Sequence, residues 1–295
     1  MTESPETPRR PLSEAALSGH IVRPGGLWRE VSVAESTRST NADLVERARA
    51  GSPGTPGTPA SPGTPGAGDS PGVPEGIVLV AEEQSAGRGR MGRSWLSPPR
   101  AALMFSVLLR PAAVPPARRG WLPLLAGVAA VSALRPVTGL AAALKWPNDV
   151  LVGQRKLAGI LAEQAGDAVV VGIGLNVSTD RAELPPPAPP ALPATSLRLE
   201  GSATLDRELL LRRILGELGR LYTAWCSVAG DPEASGLRAA YLELCSTIGR
   251  QVRVELPAGQ VTFGRAAGID GDGRLVVTGP AGAMSVGAGD VLHVR

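Results

Sequence analysis

The 295-residue chain is short of lysine. Of its 30 basic residues, 28 are arginine, and the two lysines are Lys145 and Lys156. Asparagine is nearly as scarce, occurring only as Asn41, Asn148 and Asn176. Two cysteines, Cys226 and Cys245, exclude a disulfide scaffold and a cysteine-rich zinc site. Both lie in apolar, helix-like stretches and read as reduced core thiols. The only histidines, His20 and His293, have no metal-ligand spacing. No run of about 18 apolar residues is present, which speaks against a membrane span. Residues 1–11 carry proline and glutamate and no apolar core, which excludes a signal peptide. These absences leave a cytoplasmic protein with no membrane partner as the expectation. A formal net charge of +3 over this length is a weak basis for nucleic-acid binding.

What is present suits one large domain or two smaller ones. With 43% hydrophobic and 19% charged residues, wholesale disorder is excluded. Residues 1–27 are polar and predict a disordered N-terminal tail. Residues 51–76 repeat Ser/Thr-Pro-Gly, 15 of the 26 being Gly or Pro, and predict a flexible insertion. Residues 184–193 contain six prolines and predict an extended loop. Between these breaks the pattern gives a helix over 40–50, strands at 77–81 and 103–109, and an apolar helix over 120–134. Four further strands are predicted at 142–146, 149–152, 157–163 and 168–176. Leu210, Ile214, Leu218, Leu221 and Trp225 mark an amphipathic helix capped by Asp206. Asp231-Pro232 predicts the start of another helix. After Gly249, five short alternating strands predict a small barrel, so a domain boundary is placed within 245–249. The larger part is expected to be α+β and the smaller part all-β.

Three segments carry chemistry. Residues 85–95 read SAGRGRMGRSW, alternating glycines with Arg88, Arg90 and Arg93. Gly87-x-Gly89-x-x-Gly92 matches a dinucleotide fingerprint, but RSWLSPP cannot open the helix that this motif needs. A Walker loop lacks its Gly-Lys-Ser/Thr. A solvated basic loop and an anion-binding loop that closes over a phosphorylated ligand remain. KWPNDV (145–150) and QRKLAGIL (154–161) each carry one of the two lysines at a strand end or tight turn. Both lysines are either exposed strand-edge residues or positions that need a compact ammonium. Asn148 and Asp149 fit a turn and also offer oxygen ligands suited to Mg2+. GIGLNV (172–177) is either a strand with small residues for close packing, or a notch for a flat ligand whose edge Asn176 reads. Ser39-Thr40-Asn41 either caps a helix or surrounds a polar head group.

Taken in order, Ser39-Thr40-Asn41, Gln84 with the Gly/Arg run to Trp95, KWPND, RKLAGI and GIGLN resemble biotin protein ligase, over roughly residues 28–295. The resemblance implies a class II aminoacyl-tRNA-synthetase-like mixed sheet with helices in a catalytic domain, 28–245. It implies an SH3-like C-terminal β-barrel domain, 246–295. It also implies a reaction: ATP and biotin give biotinyl-AMP, and biotin then passes to a lysine of a carboxyl-carrier domain of an acetyl-CoA, acyl-CoA or pyruvate carboxylase. Lys156, Arg88 and Arg90 are the implied catalytic residues. Ser39, Thr40, Asn41, Gln84, Arg88, Gly89, Arg90, Lys156 and Gly159 are implied for biotin. Arg90, Arg93, Trp95, Lys145, Asn148, Asp149 and Asn176 are implied for the nucleotide, with Asp149 meeting the Mg2+ that enters with ATP. A lipoate ligase and a bifunctional ligase/repressor are the rival readings. The short stretch before Trp28 leaves no room for a DNA-binding domain, so no nucleic-acid partner is expected.

Overall fold

The computed structural model of the chain describes residues 9–50, 73–186, 191–256, 260–280, 282–287 and 289–294. The expected disorder of 1–8, most of the insertion (51–72) and the middle of the proline loop (187–190) lie outside the described residues.

Seven strands form the larger sheet: β1 (Glu30–Ala34), β2 (Ile77–Ala81), β3 (Ala102–Leu109), β4 (Ala142–Lys145), β5 (Asp149–Val152), β6 (Arg155–Ala165) and β7 (Ala168–Asn176). Their spatial order is β1-β2-β3-β7-β6-β5-β4. Only β1 and β2 run parallel; the other neighbours are antiparallel. Among the described residues five α-helices accompany the sheet: α1 (Glu14–Ile21), α2 (Thr40–Ala50), α3 (Leu122–Thr138), α4 (Arg207–Ser227) and α5 (Leu237–Leu244).

Side chains alternate between the faces of a strand, and that period assigns the layers. Leu103, Phe105, Val107 and Leu109 of β3 enter the main core, as do Val169, Val171, Ile173 and Leu175 of β7. Leu125, Val128 and Leu134 of α3 and Leu211, Leu215 and Trp225 of α4 share that core. On the opposite face Leu108 and Val170 meet Leu44 and Ala48 of α2. Further along that face the residues turn small and polar, Ser106 pairing with Gly172 and Met104 with Gly174. A helix covers one part of the face, and the glycine-bearing part borders a cavity.

Several expectations need correction. The N-terminal tail is ordered from Arg9 onward. Ser13 caps α1 by accepting the Ala16 N–H. Leu12, Leu17 and Ile21 are buried, and Arg9 pairs with Glu183 at 2.6 Å. An eight-residue helix is too short for its period to stand out in the sequence. Strand β1 was not foreseen. The insertion's last residues belong to the fold: Gly76 accepts the Arg29 N–H at 2.9 Å and donates to the Leu108 carbonyl at 2.8 Å. The helix expected at Asp231 starts only at Leu237, because Gly236 takes a left-handed φ of 72° and breaks the turn before it. Residues 116–138 are long and apolar enough in composition to cross a membrane. Yet 67% of the most apolar window is buried inside the protein, as a core helix requires.

The two cysteines are free, as expected. Burial pushes the Cys226 thiol up to about 11, so it stays protonated at neutral pH.

The C-terminal part is a five-stranded antiparallel sheet of β8 (Gln251–Glu255), β9 (Val261–Ile269), β10 (Leu275–Gly279), β11 (Gly282–Val286) and β12 (Asp290–His293). Its order is β11-β10-β9-β8-β12. The segment before it is stitched to the edge of the larger sheet. The Ser246 N–H donates to the Leu144 carbonyl at 2.7 Å, and the Thr247 hydroxyl oxygen accepts the Trp146 N–H at 3.1 Å. From the other side, the Trp121 indole donates to the Gly271 carbonyl at 3.0 Å.

Candidate active site

The cavity opens on the α2 face of the sheet. One end is neutral and polar. The start of α2 brings Ser39, Thr40 and Asn41 there, and the chain leaving β2 brings Gln84. The Thr40 N–H donates to Gln84 Oε1 at 2.8 Å. Ser106 donates to Asn41 Oδ1 at 2.6 Å and stands 2.6 Å from the Thr40 hydroxyl. Asn41 Nδ2 donates to Glu163 Oε2 at 2.8 Å and to the Leu161 carbonyl at 3.2 Å. The Asn41 amide is thus spent on the protein's own groups, while the Ser39 hydroxyl accepts only a long hydrogen bond among the described residues, from the Ala42 N–H at 3.5 Å.

The other end is cationic. The Gly/Arg run folds back on itself: the Trp95 N–H donates to the Gly87 carbonyl and the Gly89 N–H to the Arg93 carbonyl. The run holds one 3-10 turn, Arg90–Gly92, and the next element after it is strand β3 and not a helix, which agrees with rejecting the dinucleotide motif. The turn aims Arg88, Arg90 and Arg93 at the cavity, and β6 adds Lys156. Lys156 Nζ lies 2.6 Å from Asp149 Oδ1 and 5.9 Å from the centre of the Trp95 ring. Arg90 donates to Asn148 Oδ1 at 3.4 Å. Burial holds the Arg90 guanidinium below its ordinary value, with Asp149 opposing the shift. Lys145 is lowered too, first by burial; Asp149 opposes this, and Lys156, Arg93 and Arg90 add to it. The scarce lysines are therefore both part of one charged cluster rather than solvated edge residues.

The glycine notch is filled from within. A Cβ on Gly174 would stand 2.6 Å from Trp95 Cε2, and one on Gly159 3.2 Å from Trp95 Cζ3. A Cβ on Gly172 would stand 2.0 Å from Asn41 Oδ1. The notch thus admits Trp95 and Asn41, which favours the reading of small residues for close packing over that of a slot for a flat ligand. The buried Trp95 Nε1 has no hydrogen-bond partner among the described residues. Asn176 is turned away: it is buried and donates to the Thr195 carbonyl at 2.8 Å. Lys145 and Asp149 stand beside the cavity, whereas Asn148, Lys156 and Gly159 line it.

Three site residues were missed. Ser106 is the lone polar residue in the apolar run of β3, a signal the sequence does carry. Glu163 follows Gly159 and Leu161 at period two on β6, so it too was findable. Asp290, which lines the cavity and pairs with Arg93 from β12, had no local signal. Among the described residues no group of three or more His, Cys, Asp or Glu is placed to hold a metal ion. The donor set fits a metal that arrives with a phosphate ligand, not one held by the protein alone.

Comparison with known proteins supports the same assignment. The family model "Biotin/lipoate A/B protein ligase family" matches residues 69–180, and "Biotin protein ligase C terminal domain" matches 247–294. A biotin--[acetyl-CoA-carboxylase] ligase of Mycobacterium tuberculosis is 40% identical over 97% of this chain and 97% of its own length. The bifunctional ligase/repressor BirA of Bacillus subtilis is 31% identical over 74% of this chain and 66% of its own. A biotin protein ligase from Aquifex aeolicus, solved in complex with biotin and ATP, superposes with a TM-score of 0.69 at 25% identity. It covers 91% of this chain and all of its own. Alike along nearly its whole length to a ligase of that kind, the chain belongs to the biotin protein ligase family.

Proposed function

We propose that the chain joins biotin to a lysine of a carboxyl-carrier domain in two steps, within a catalytic domain of residues 28–245 assisted by residues 246–295. The observation that carries this reading is a single cavity with a neutral, hydrogen-bonding end and a four-cation end. Biotin has the matching polarity: a neutral ureido ring at one end and a carboxylate at the other. Ser39, Thr40 and Gln84 hold the ring, and Asn41 braces Thr40 through Ser106.

In the first step a biotin carboxylate oxygen attacks the α-phosphorus of ATP. A mixed anhydride forms and pyrophosphate leaves. Two anions must approach, so fixed cations have to offset their repulsion. Lys156 bridges carboxylate and α-phosphate, and Arg88 and Arg90 hold the same oxygens. Arg93, Trp95, Lys145, Asn148 and Asn176 serve the nucleotide, Asn176 after a turn of its amide toward the cavity. Mg2+ would enter as part of the ATP substrate, and Asp149 would offer it a carboxylate oxygen. In the second step the acceptor amine attacks the anhydride carbonyl. An amide forms, AMP leaves, and the amine's extra proton passes to solvent. These substrates suit a cytoplasmic setting and a carrier of the acetyl-CoA carboxylase type.

The test mixes the chain with MgATP, a carrier domain, and labelled biotin or labelled lipoate. Biotin-dependent pyrophosphate release and label on the carrier are the expected results. Label from lipoate, or from neither acid, overturns the reading. Lys156→Arg is expected to lose about 100-fold in pyrophosphate release, since the guanidinium fork does not fit where an ammonium sits.

A further inference from the structure

Of the four cations that face the cavity from the Gly/Arg run and β6, three already pair with a carboxylate. Lys156 Nζ is 2.6 Å from Asp149 Oδ1, with the two side chains 28% and 17% exposed. Arg88 Nη1 is 3.6 Å from Glu163 Oε1, and the other oxygen of Glu163 accepts the Asn41 amide at 2.8 Å. Arg93 pairs with Asp290. The three carboxylates come from β5, β6 and β12, so no local sequence pattern groups them. Four cations crowded in a partly buried space repel one another by about 1–4 kcal/mol per close pair, and nearby carboxylates relieve that repulsion. Asp149 does so for more than Lys156, because Arg90 and Lys145 also sense its charge.

We propose that Asp149 and Glu163 are internal stand-ins for the substrate anions. They hold Lys156 and Arg88 in a neutralised resting arrangement, and the carboxylate and α-phosphate bind by taking those cations over. This rests on the ligase reading above. Both are positioning residues: they act on the substrate through the cation each one holds. The exchange weakens the grip on any single anion. A stray carboxylate or inorganic ion has to compete with a built-in partner, whereas a ligand bearing anions at both places and a ring at the neutral end recovers the loss. The device thus sets specificity as well as rest-state charge.

Biotin affinity without nucleotide tests this, measured by calorimetry on the full chain. Asp149→Asn and Glu163→Gln are each expected to bind biotin about two- to tenfold more tightly than the unaltered chain. Damage to the fold weakens binding, so a gain is not its signature. Placed in a Lys156→Gln background, Asp149→Asn should bring a clearly smaller gain, because the cation that Asp149 holds directly is gone and only Arg90 and Lys145 still sense the change. Glu163→Gln keeps the Asn41 hydrogen bond through its amide oxygen and carries the test even where Asp149→Asn fails to fold. Unchanged or weaker biotin binding in the folded variants overturns the proposal, as does an equal gain in the Lys156→Gln background. An unaltered chain that takes up no biotin at all refutes the ligase reading and removes the proposal with it.

Discussion

At the scale of single residues, the cavity is shaped by what three glycines make room for. Gly174 and Gly172 sit two apart on one face of β7 and receive different side chains. Trp95 belongs to a loop and can withdraw; Asn41 is fixed at both ends of its amide. Gly174→Ala should therefore push the indole off the sheet and raise the ATP KM of pyrophosphate release about tenfold, with little change in melting temperature. Gly172→Ala meets a buried amide that cannot move, and should cost about 2–3 kcal/mol in urea unfolding. Equal effects of the two changes on both measurements would contradict this account. The sequence was informative about which residues gather here, since Ser39, Thr40, Gln84, Arg88, Arg90 and Lys156 do line one space. It was silent about what fills the notch. Spacing along a strand tells that glycines share a face, but the register of a neighbouring strand and the path of a distant loop decide who occupies it. Asn176 shows the same limit: its face was legible, its rotamer was not.

At the scale of elements, the strands from β2 to β7 were legible because β2, β3 and β7 are buried runs and β4, β5 and β6 are partly buried ones, set between turn residues. The N-terminal arm was not, because its order depends on a partner far along the chain. Glu82 and Arg207 are 1% and 6% exposed and pair at 2.5 Å. Glu82 also accepts the Leu12 N–H, and Arg207 donates to the Arg10 carbonyl at 2.7 Å. One buried ion pair thus straps the arm across the end of β2, two residues before Gln84. Arg207→Ala strands a buried carboxylate and should cost about 3–5 kcal/mol in urea unfolding. Replacing both partners, with Glu82→Gln and Arg207→Met, should cost less than the single change; a larger loss would count against the strap. The proline- and glycine-rich insertion divides in the same way. Removing residues 51–72 and closing with a short linker should leave melting and turnover nearly unchanged, since loop length costs only about 0.6 kcal/mol per doubling. Gly76→Ala should cost about 2 kcal/mol or more, because Gly76 has a φ of 87° and its Cβ would lie 1.9 Å from the Leu27 carbonyl oxygen.

At the scale of the whole molecule, the small sheet is a working part of the site. Asp290 reaches Arg93 in the cavity wall, and Thr247 holds the backbone of Trp146 just before Asn148 and Asp149. His293 stands 3.1 Å from the Thr247 hydroxyl. Burial, with Lys145 and Arg250 adding to it, lowers the His293 imidazole from 6.5 to about 4. The unfolded chain takes up that proton near pH 6.5 and the folded chain only near pH 4, so stability falls as pH drops through this window and is indifferent to His293 above it. His293→Gln should flatten the acid side of the melting-temperature profile between pH 6.5 and 4; an unchanged slope would exclude His293 as its source. The sequence placed a boundary near this junction but offered no sign that the far side completes the cavity, because Asp290 and Arg93 meet only through the docking of two sheets. The lysines return here with another meaning. For a ligase that makes an activated acyl donor, the enzyme's own amines are the nearest targets. This chain has two side-chain amines: Lys156 faces Asp149 at rest and the bound anions in its place, and Lys145 stands beside the cavity. The other 28 basic side chains are guanidinium groups, which stay protonated and do not acylate at neutral pH. A donor that escapes finds no free lysine on the surface it leaves, and self-labelling gives way to labelling of other chains.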